Sequence, residues 1–343
     1  MERRPTGEHT TIMAKKAKIQ LTTGDTAFYR FDAQLGFWGV PNLEREVTYD
    51  VRPNEPFYVR HNSDGNRDAE VILGPSEKTI LCIGGSHTWG GGVQQDSRYS
   101  EVLAKRTGRR VLNLGHCSLG LDQVCLALLQ KAAKYKPEII IVEQYPWAVH
   151  RVMNTFVNGF VRSHFYLDSQ EELKLQKVSR LAKYRWCRRL IGAYYAFQKE
   201  FQEFRSGIDL KNHYNPLTDP IFLYWKTRHY DRMYLLLDHI LRVIRDYCNQ
   251  HGIKLLFGLG AIQQQFGRKP LSGLVDYDLP RKRFTALLEK HRIPYVDMTA
   301  PMLESHTPQA PVIFPDGHIN TKGHGVFAEI LFSELQSRGW VTK

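Results

Sequence analysis

Thr79-Ile80-Leu81-Cys82-Ile83-Gly84-Gly85-Ser86-His87-Thr88-Trp89-Gly90-Gly91-Gly92-Val93 joins an apolar run of strand length to a serine set among glycines. A short, continuous apolar run bounded by glycine has the pattern of a strand buried on both faces of a parallel sheet. Open α/β sheets bind their ligands outside the carboxyl ends of the strands. Ser86, on the turn that follows, falls at that edge. The glycines around it let backbone amides approach a bound oxyanion with no Cβ in the way. Taken alone, the stretch is equally a glycine-rich connection that happens to hold a serine.

The chain on either side repeats the theme. Strand-like runs stand at 110–114, 138–142, 254–259 and 294–298, with helical patterns between them. A helix over 98–107 ends at Gly108. The next has Asp122 as its candidate cap and is broken by Pro137. Met233, Leu236, Leu237, Ile240, Leu241 and Ile244 keep helical spacing. After a helix at 280–291, Thr321 is the candidate cap of a closing amphipathic helix built on Val326, Phe327, Ile330, Leu331 and Leu335. Strand and helix in alternation with short loops predict a parallel sheet with helices on both faces, a three-layer α/β/α sandwich.

Four stretches, in order, resemble the conserved blocks of the SGNH (GDSL-like) hydrolase superfamily. Gly84-Gly85-Ser86 looks like block I, with Ser86 at the nucleophile position. Val111-Leu112-Asn113-Leu114-Gly115-His116-Cys117-Ser118-Leu119-Gly120 looks like block II, whose glycine, here Gly120, lends an N–H to the oxyanion hole. The stretch 137–151 takes the place of block III. Phe314-Pro315-Asp316-Gly317-His318-Ile319-Asn320 looks like block V, which carries acid and base. The resemblance covers about 80–150 and 253–338 and implies a flavodoxin-like sheet. It also implies a triad of Ser86, His318 and Asp316, and an oxyanion hole built from the backbone at Ser86 and Gly120.

Three departures mark this chain. Gly85 replaces the aspartate of G-D-S. Acid and base are spaced Asp-x-His, which in an extended segment still points both to one side. Block III offers no asparagine, so the third oxyanion donor is open. Gln144 carries an amide of the same kind on one more methylene, Tyr145 a hydroxyl, or neither reaches and another group fills the gap. Trp89, Tyr145 and Trp147, in the loops after the first and third strands, are the candidate substrate contacts. Asn113 is expected to tie the second loop. Asp297 is an alternative acid, although proteins similar to this one use that aspartate structurally.

Residues 1–25 read as an unstructured lead, and 26–75 as a small antiparallel β element that either covers the sheet edge or walls the cleft. The main domain is 76–343, with a helical insertion at about 155–225 that is placed to form a lid over Ser86.

With 42% hydrophobic and 24% charged residues in 343, the composition is that of a globular chain. No apolar run approaches a membrane span, and the first residues lack the apolar core of a secretory signal. Five cysteines with no C-x-x-C pair predict reduced thiols and a cytoplasmic setting. The formal charge of +12 concentrates at Lys174, Lys177, Arg180, Lys183, Arg185, Arg188 and Arg189. These read as a solvated face, since no nucleic-acid-binding motif accompanies them. His87, His116 and His324 match no standard metal-ligand spacing, and no cofactor is expected. The function implied by the resemblance is a serine esterase removing a small acyl group, acetyl first, from a sugar or other hydroxylated metabolite. An O-acyltransferase with the same triad and a non-catalytic carbohydrate-binding relative are the alternatives.

Overall fold

Apolar strand sequences and the glycine turns after them dictate where the sheet lies and which edge is left open. The computed structural model describes residues 19–21, 28–49, 52–157, 159–191, 193–194, 231–261, 265–266 and 276–342. The first strands are β1 (Ile19–Leu21), β2 (Tyr29–Asp32), β3 (Gly36–Gly39), β4 (Glu44–Tyr49) and β5 (Arg52–Arg60). The core follows with β6 (Thr79–Ile83), β7 (Val111–Asn113) and β8 (Pro137–Gln144). Short strands β9 (Phe156–Val157), β10 (Phe160–Val161), β11 (His164–Leu167) and β12 (Leu173–Gln176) precede β13 (Lys254–Leu259) and β14 (Tyr295–Asp297). The helices are α1 (Ser86–Trp89), α2 (Tyr99–Thr107), α3 (Leu121–Lys131), α4 (Asp231–Gln250), α5 (Leu279–Lys290), α6 (Thr299–Ser305) and α7 (Thr321–Ser337).

The central sheet has five parallel strands in the order β14-β13-β8-β6-β7. The first core strand, β6, lies between the second and third, which is the flavodoxin-like order, and the strand order reverses beside it. Ser86 directly follows β6, so the switch point and the serine coincide. The fold implied by the sequence is therefore the fold observed.

Alternation along the strands sorts the core into two layers. Leu81, Ile83, Ile140, Val142, Phe257 and Leu259 face α3, α4 and α5. Ile80, Cys82, Ile139, Ile141 and Leu256 face α2, α6 and α7. Ile139 to Val142 are fully buried, so truncating any one to alanine would cost about 2–5 kcal/mol. The core helices lie where the periodicity puts them, but two caps differ. Gly120, not Asp122, is the N-cap of α3, because Asp122 is buried in an ion pair with Arg162. At α7 the cap is Asn320, whose side chain accepts the Gly323 N–H at 3.0 Å; Thr321 is already the first helical residue.

Within the stretch read as an unstructured lead, Ile19–Leu21 pairs in parallel with Val47 to Tyr49. The remainder of 1–25 lies outside the described residues. The β element is real and antiparallel in β2–β3 and β4–β5. The stretch read as a helical insertion begins instead with two antiparallel pairs, β9–β10 and β11–β12. Its sequence explains this: Phe165/Leu167 and Leu173/Leu175 alternate with period two around the polar turn Asp168-Ser169-Gln170-Glu171. All of 195–225, including the loop 212–220, lies outside the described residues. Among the described residues no helix is long and apolar enough to cross a membrane.

Candidate active site

The nucleophile turn is a single helical turn, α1, preceded by two glycines and closed by Gly90 at φ 87°. A Cβ on Gly84 would collide with Thr88 Oγ1 and with Glu143 Oε2, so this position admits glycine alone. Glu143, at the end of β8, accepts the Gly85 N–H at 3.0 Å and the Thr88 hydroxyl at 2.8 Å. Burial raises the Glu143 carboxyl above its usual range. A carboxylate missing from position 85 is thus supplied to the same turn from the neighbouring strand.

His318 Nε2 lies 2.9 Å from Ser86 Oγ. Asp316 Oδ1 stands 3.3 Å from His318 Nδ1 and also accepts the His318 backbone N–H at 3.1 Å. The ring nitrogen is at ion-pair distance from the carboxylate without hydrogen-bond alignment. The Asp-x-His spacing works because Gly317, at φ 86°, folds the segment into a turn closed by Gly317 N–H on the Phe314 carbonyl. A serine, an imidazole and a carboxylate in this line can pass the hydroxyl proton to the ring and hold the resulting charge.

The β element reaches this site twice. Tyr49 lies parallel to the His318 ring at 5.8 Å, above Gly91, where a Cβ would come within 2.7 Å of the Tyr49 hydroxyl. Arg67, fully buried, donates from Nη1 to the Trp89 carbonyl at 3.1 Å and the Gly90 carbonyl at 2.5 Å. Its Nη2 donates to the Tyr58 and Val93 carbonyls, both at 2.8 Å. The Trp89, Gly90 and Val93 carbonyls belong to the end of α1 and the loop beyond it, where helical carbonyls lack intrahelical donors, and that of Tyr58 belongs to β5. Burial, then the charge of Arg98, pushes the Arg67 guanidinium down to about 9, so it remains charged at neutral pH. Arg67→Met removes the charge and the four hydrogen bonds it donates to these carbonyls. We expect a loss of about 3–5 kcal/mol, read as a lower urea midpoint.

The second loop is tied as the sequence suggests. Asn113 donates to the Thr88 carbonyl at 2.6 Å and to Ser100 Oγ at 2.9 Å, and accepts the Gly115 N–H. Gly120 is the N-cap of α3, where the first N–H groups have no intrahelical acceptor.

Other residues named from the sequence lie elsewhere. Trp89 is 1% exposed and packs edge-on against Phe28 and Phe57 beneath the Arg67 guanidinium. It is a core residue, not a substrate contact, because α1 turns it inward. Tyr145 is buried and stacks at 3.8 Å under the His87 ring. It supports the site from behind, and its hydroxyl has no partner among the described residues. Gln144 is buried, and its amide donates to the Tyr145 carbonyl at 2.7 Å. Trp147 borders a recess shared with Gly85, His87, Leu119, Gln144 and Arg151. Asp297 is held by Arg281 at 2.8 Å and accepts the Thr299 N–H, opening α6. Among the described residues its side chain is held by Arg281 and Thr299, not by a histidine.

The three histidines weighed as metal ligands from the sequence stand apart in their packing: His87 in α1, His116 in the loop after β7 and His324 in α7. His87 Nδ1 accepts the Ile319 N–H at 3.4 Å, joining the serine turn to the His318 loop. His116 sits among Trp38, Tyr29 and His61. His324 Nδ1 accepts the Tyr99 N–H at 3.1 Å, and burial pushes its ring down to about 3. No group of three or more His, Cys, Asp or Glu among the described residues is arranged to hold a metal ion. For His324 the linkage sign is clear. Below pH 6.5 the unfolded chain takes up a proton here, and the folded chain does so only near pH 3. Stability contributed by neutral His324 is thus complete above pH 6.5 and falls by about 2 kcal/mol at pH 5. His324→Asn should show a smaller drop in melting temperature between pH 7 and 5 than the parent.

Glu143, Arg67, Arg151 and Tyr49 were not singled out in the sequence. A carboxylate closing an otherwise apolar strand was the one available signal, at Glu143.

A serine, an imidazole and a carboxylate thus stand in line at the switch point of a flavodoxin-like sheet. No family model matches the chain, and no curated protein matches it. Among solved structures it is similar to a member of the lipolytic protein G-D-S-L family from Veillonella parvula DSM 2008. That pair shows 12% identity over 76% of this chain and 98% of the other, with a TM-score of 0.42. It is similar also to TesA, at 12% identity over 76% and 99% and a TM-score of 0.43. An acetyl xylan esterase, AlAXEase, aligns at 10% identity over 75% and 99%, with a TM-score of 0.42.

Proposed function

We propose that the protein is a serine esterase that hydrolyses a small acyl ester, acetyl first, on a carbohydrate or other hydroxylated metabolite. The observation that carries this reading is the 2.9 Å contact between Ser86 Oγ and His318 Nε2, with Asp316 behind the ring. Ser86 attacks the ester carbonyl while His318 takes its proton. The imidazolium, facing Asp316, returns that proton to the leaving alcohol, and water then releases the acyl group by the reverse exchange. Backbone N–H groups at Ser86 and Gly120 face the oxyanion. On the acyl side, the recess bordered by Leu119, Trp147 and Arg151 supports a small group. On the alcohol side, Tyr49 walls the approach to His318. The deciding experiment is incubation with a neutral acetyl ester, with and without sugars, alongside labelling by a fluorophosphonate. Release of acetate with labelling at Ser86 supports hydrolysis. Transfer to the sugar would instead make it an acyltransferase, and a protein that neither labels nor turns over would be a binding relative.

A further inference from the structure

We infer that Arg151 supplies the third oxyanion donor, the role expected of an asparagine after the third core strand, for which the sequence offers Gln144 first and Tyr145 as the alternative. The inference rests on the triad reading above and deepens it.

Gln144 is poorly placed to serve. One N–H of its amide goes to the adjacent Tyr145 carbonyl, which also accepts the Ala148 N–H at 2.8 Å. Arg151 comes from the same connection after β8, within the segment Pro146–Met153. Its backbone touches one oxyanion loop: a Cβ on Gly120 would lie 3.0 Å from the Arg151 carbonyl carbon. Its side chain touches the other: Nη1 lies 3.4 Å from where a Cβ on Gly85 would stand, one residue before Ser86. Arg151 therefore bridges the two loops whose amides face the oxyanion.

The guanidinium is also uncommitted. Among the described residues it makes no hydrogen bond and no ion pair, although it rests over the Trp147 ring at 5.6 Å. The nearby Glu143 carboxylate is engaged by Gly85 and Thr88. The backbone that aims it, by contrast, is fixed. The Arg151 carbonyl accepts from Arg162 Nη2 at 2.5 Å and from the Asn154 N–H at 3.0 Å. Arg162 is in turn paired with Asp122 at 3.1 Å, both side chains fully buried.

Gly85 now has a reason. An aspartate at this position would place its carboxylate against Arg151 Nη1 and neutralise it. Glycine leaves the charge free, and Glu143 takes over holding the turn. Loss of the aspartate and loss of the asparagine are then two halves of one exchange. A guanidinium remains charged at any working pH and donates in a planar fork. Its hydrogen bond to a full oxyanion is charge-assisted and stronger than that to a neutral carbonyl, so its effect falls on the transition state.

The test uses the full chain, p-nitrophenyl acetate as a neutral substrate, and an uncharged fluorophosphonate whose attack by Ser86 also builds charge on oxygen. Arg151→Ala is expected to lower kcat and the labelling rate by roughly a hundredfold or more, with KM within about threefold. Arg151→Lys should recover part of the loss, and Arg151→Met, which keeps the packing on Trp147, serves if the alanine variant does not melt cooperatively. A kcat within threefold of the parent, with Ser86 still labelled, overturns the inference and leaves the triad standing. So does a rise in KM with kcat unchanged, which would make Arg151 a binding group for the substrate. An equal or larger loss on Gln144→Ala alone returns the role to Gln144. If the parent protein neither labels nor turns over, the triad reading itself fails and takes this inference with it.

Discussion

Ser86→Ala is expected to abolish covalent labelling by a fluorophosphonate and to lower turnover by about a millionfold, while the thermal melt barely moves. The substitution removes one hydroxyl whose side-chain contact is His318 Nε2 at 2.9 Å. The features that hold the turn are untouched: the Glu143 carboxylate on Gly85 and Thr88, and the Arg67 guanidinium on Gly90. A catalytic loss without a stability loss is the signature of a nucleophile. Labelling that persists, or that maps to a different serine, rejects the assignment.

Loss of the base should be nearly as severe, and loss of the acid less so. With His318→Ala the hydroxyl has nothing to take its proton, and turnover should fall by about a millionfold. Asp316→Ala leaves serine and imidazole in place, so a loss of roughly ten-thousandfold is expected. Asp316 does two things, holding the His318 backbone N–H at 3.1 Å and standing 3.3 Å from Nδ1. Asp316→Asn separates them, since an amide oxygen can still accept the backbone bond while the charge is gone. Full turnover in the asparagine variant would show that only the turn, and not the carboxylate charge, matters.

The sheet was legible because each core strand is a continuous apolar run ending at a loop with glycine or proline, and continuity marks burial on both faces. The contact of Ser86 with His318 and the turn at Asp316-Gly317-His318 follow stretches the sequence marks, because few residue types fit a strand-end turn or a switch-point loop. What escaped were the groups that act across long stretches of sequence. Arg67 is 22 residues from Trp89, whose carbonyl it holds, and nothing in the local pattern of Asn66-Arg67-Asp68 signals a fully buried cation. Residue type marks Gln144 as a donor, but it does not reveal that the carbonyl one residue away takes an N–H of its amide. Trp89 misled because exposure was read from its place in the motif, when a single helical turn swings it into the core. In 156–176, strands of two and four residues are too short for periodicity to outweigh the helical formers around them.

The buried guanidinium of Arg67 has a consequence for how the protein loses activity. The residue belongs to the segment between the small β element and β6, yet its four bonds seal the far end of the serine turn and the glycine loop beyond it. Undocking of that segment opens the turn while the five-stranded sheet, whose strands pair only with one another, stays intact. Thermal inactivation should therefore run ahead of the loss of helical circular dichroism. On this view the segment that carries Arg67 acts as a latch, and activity is lost by local unlatching before the sheet unfolds.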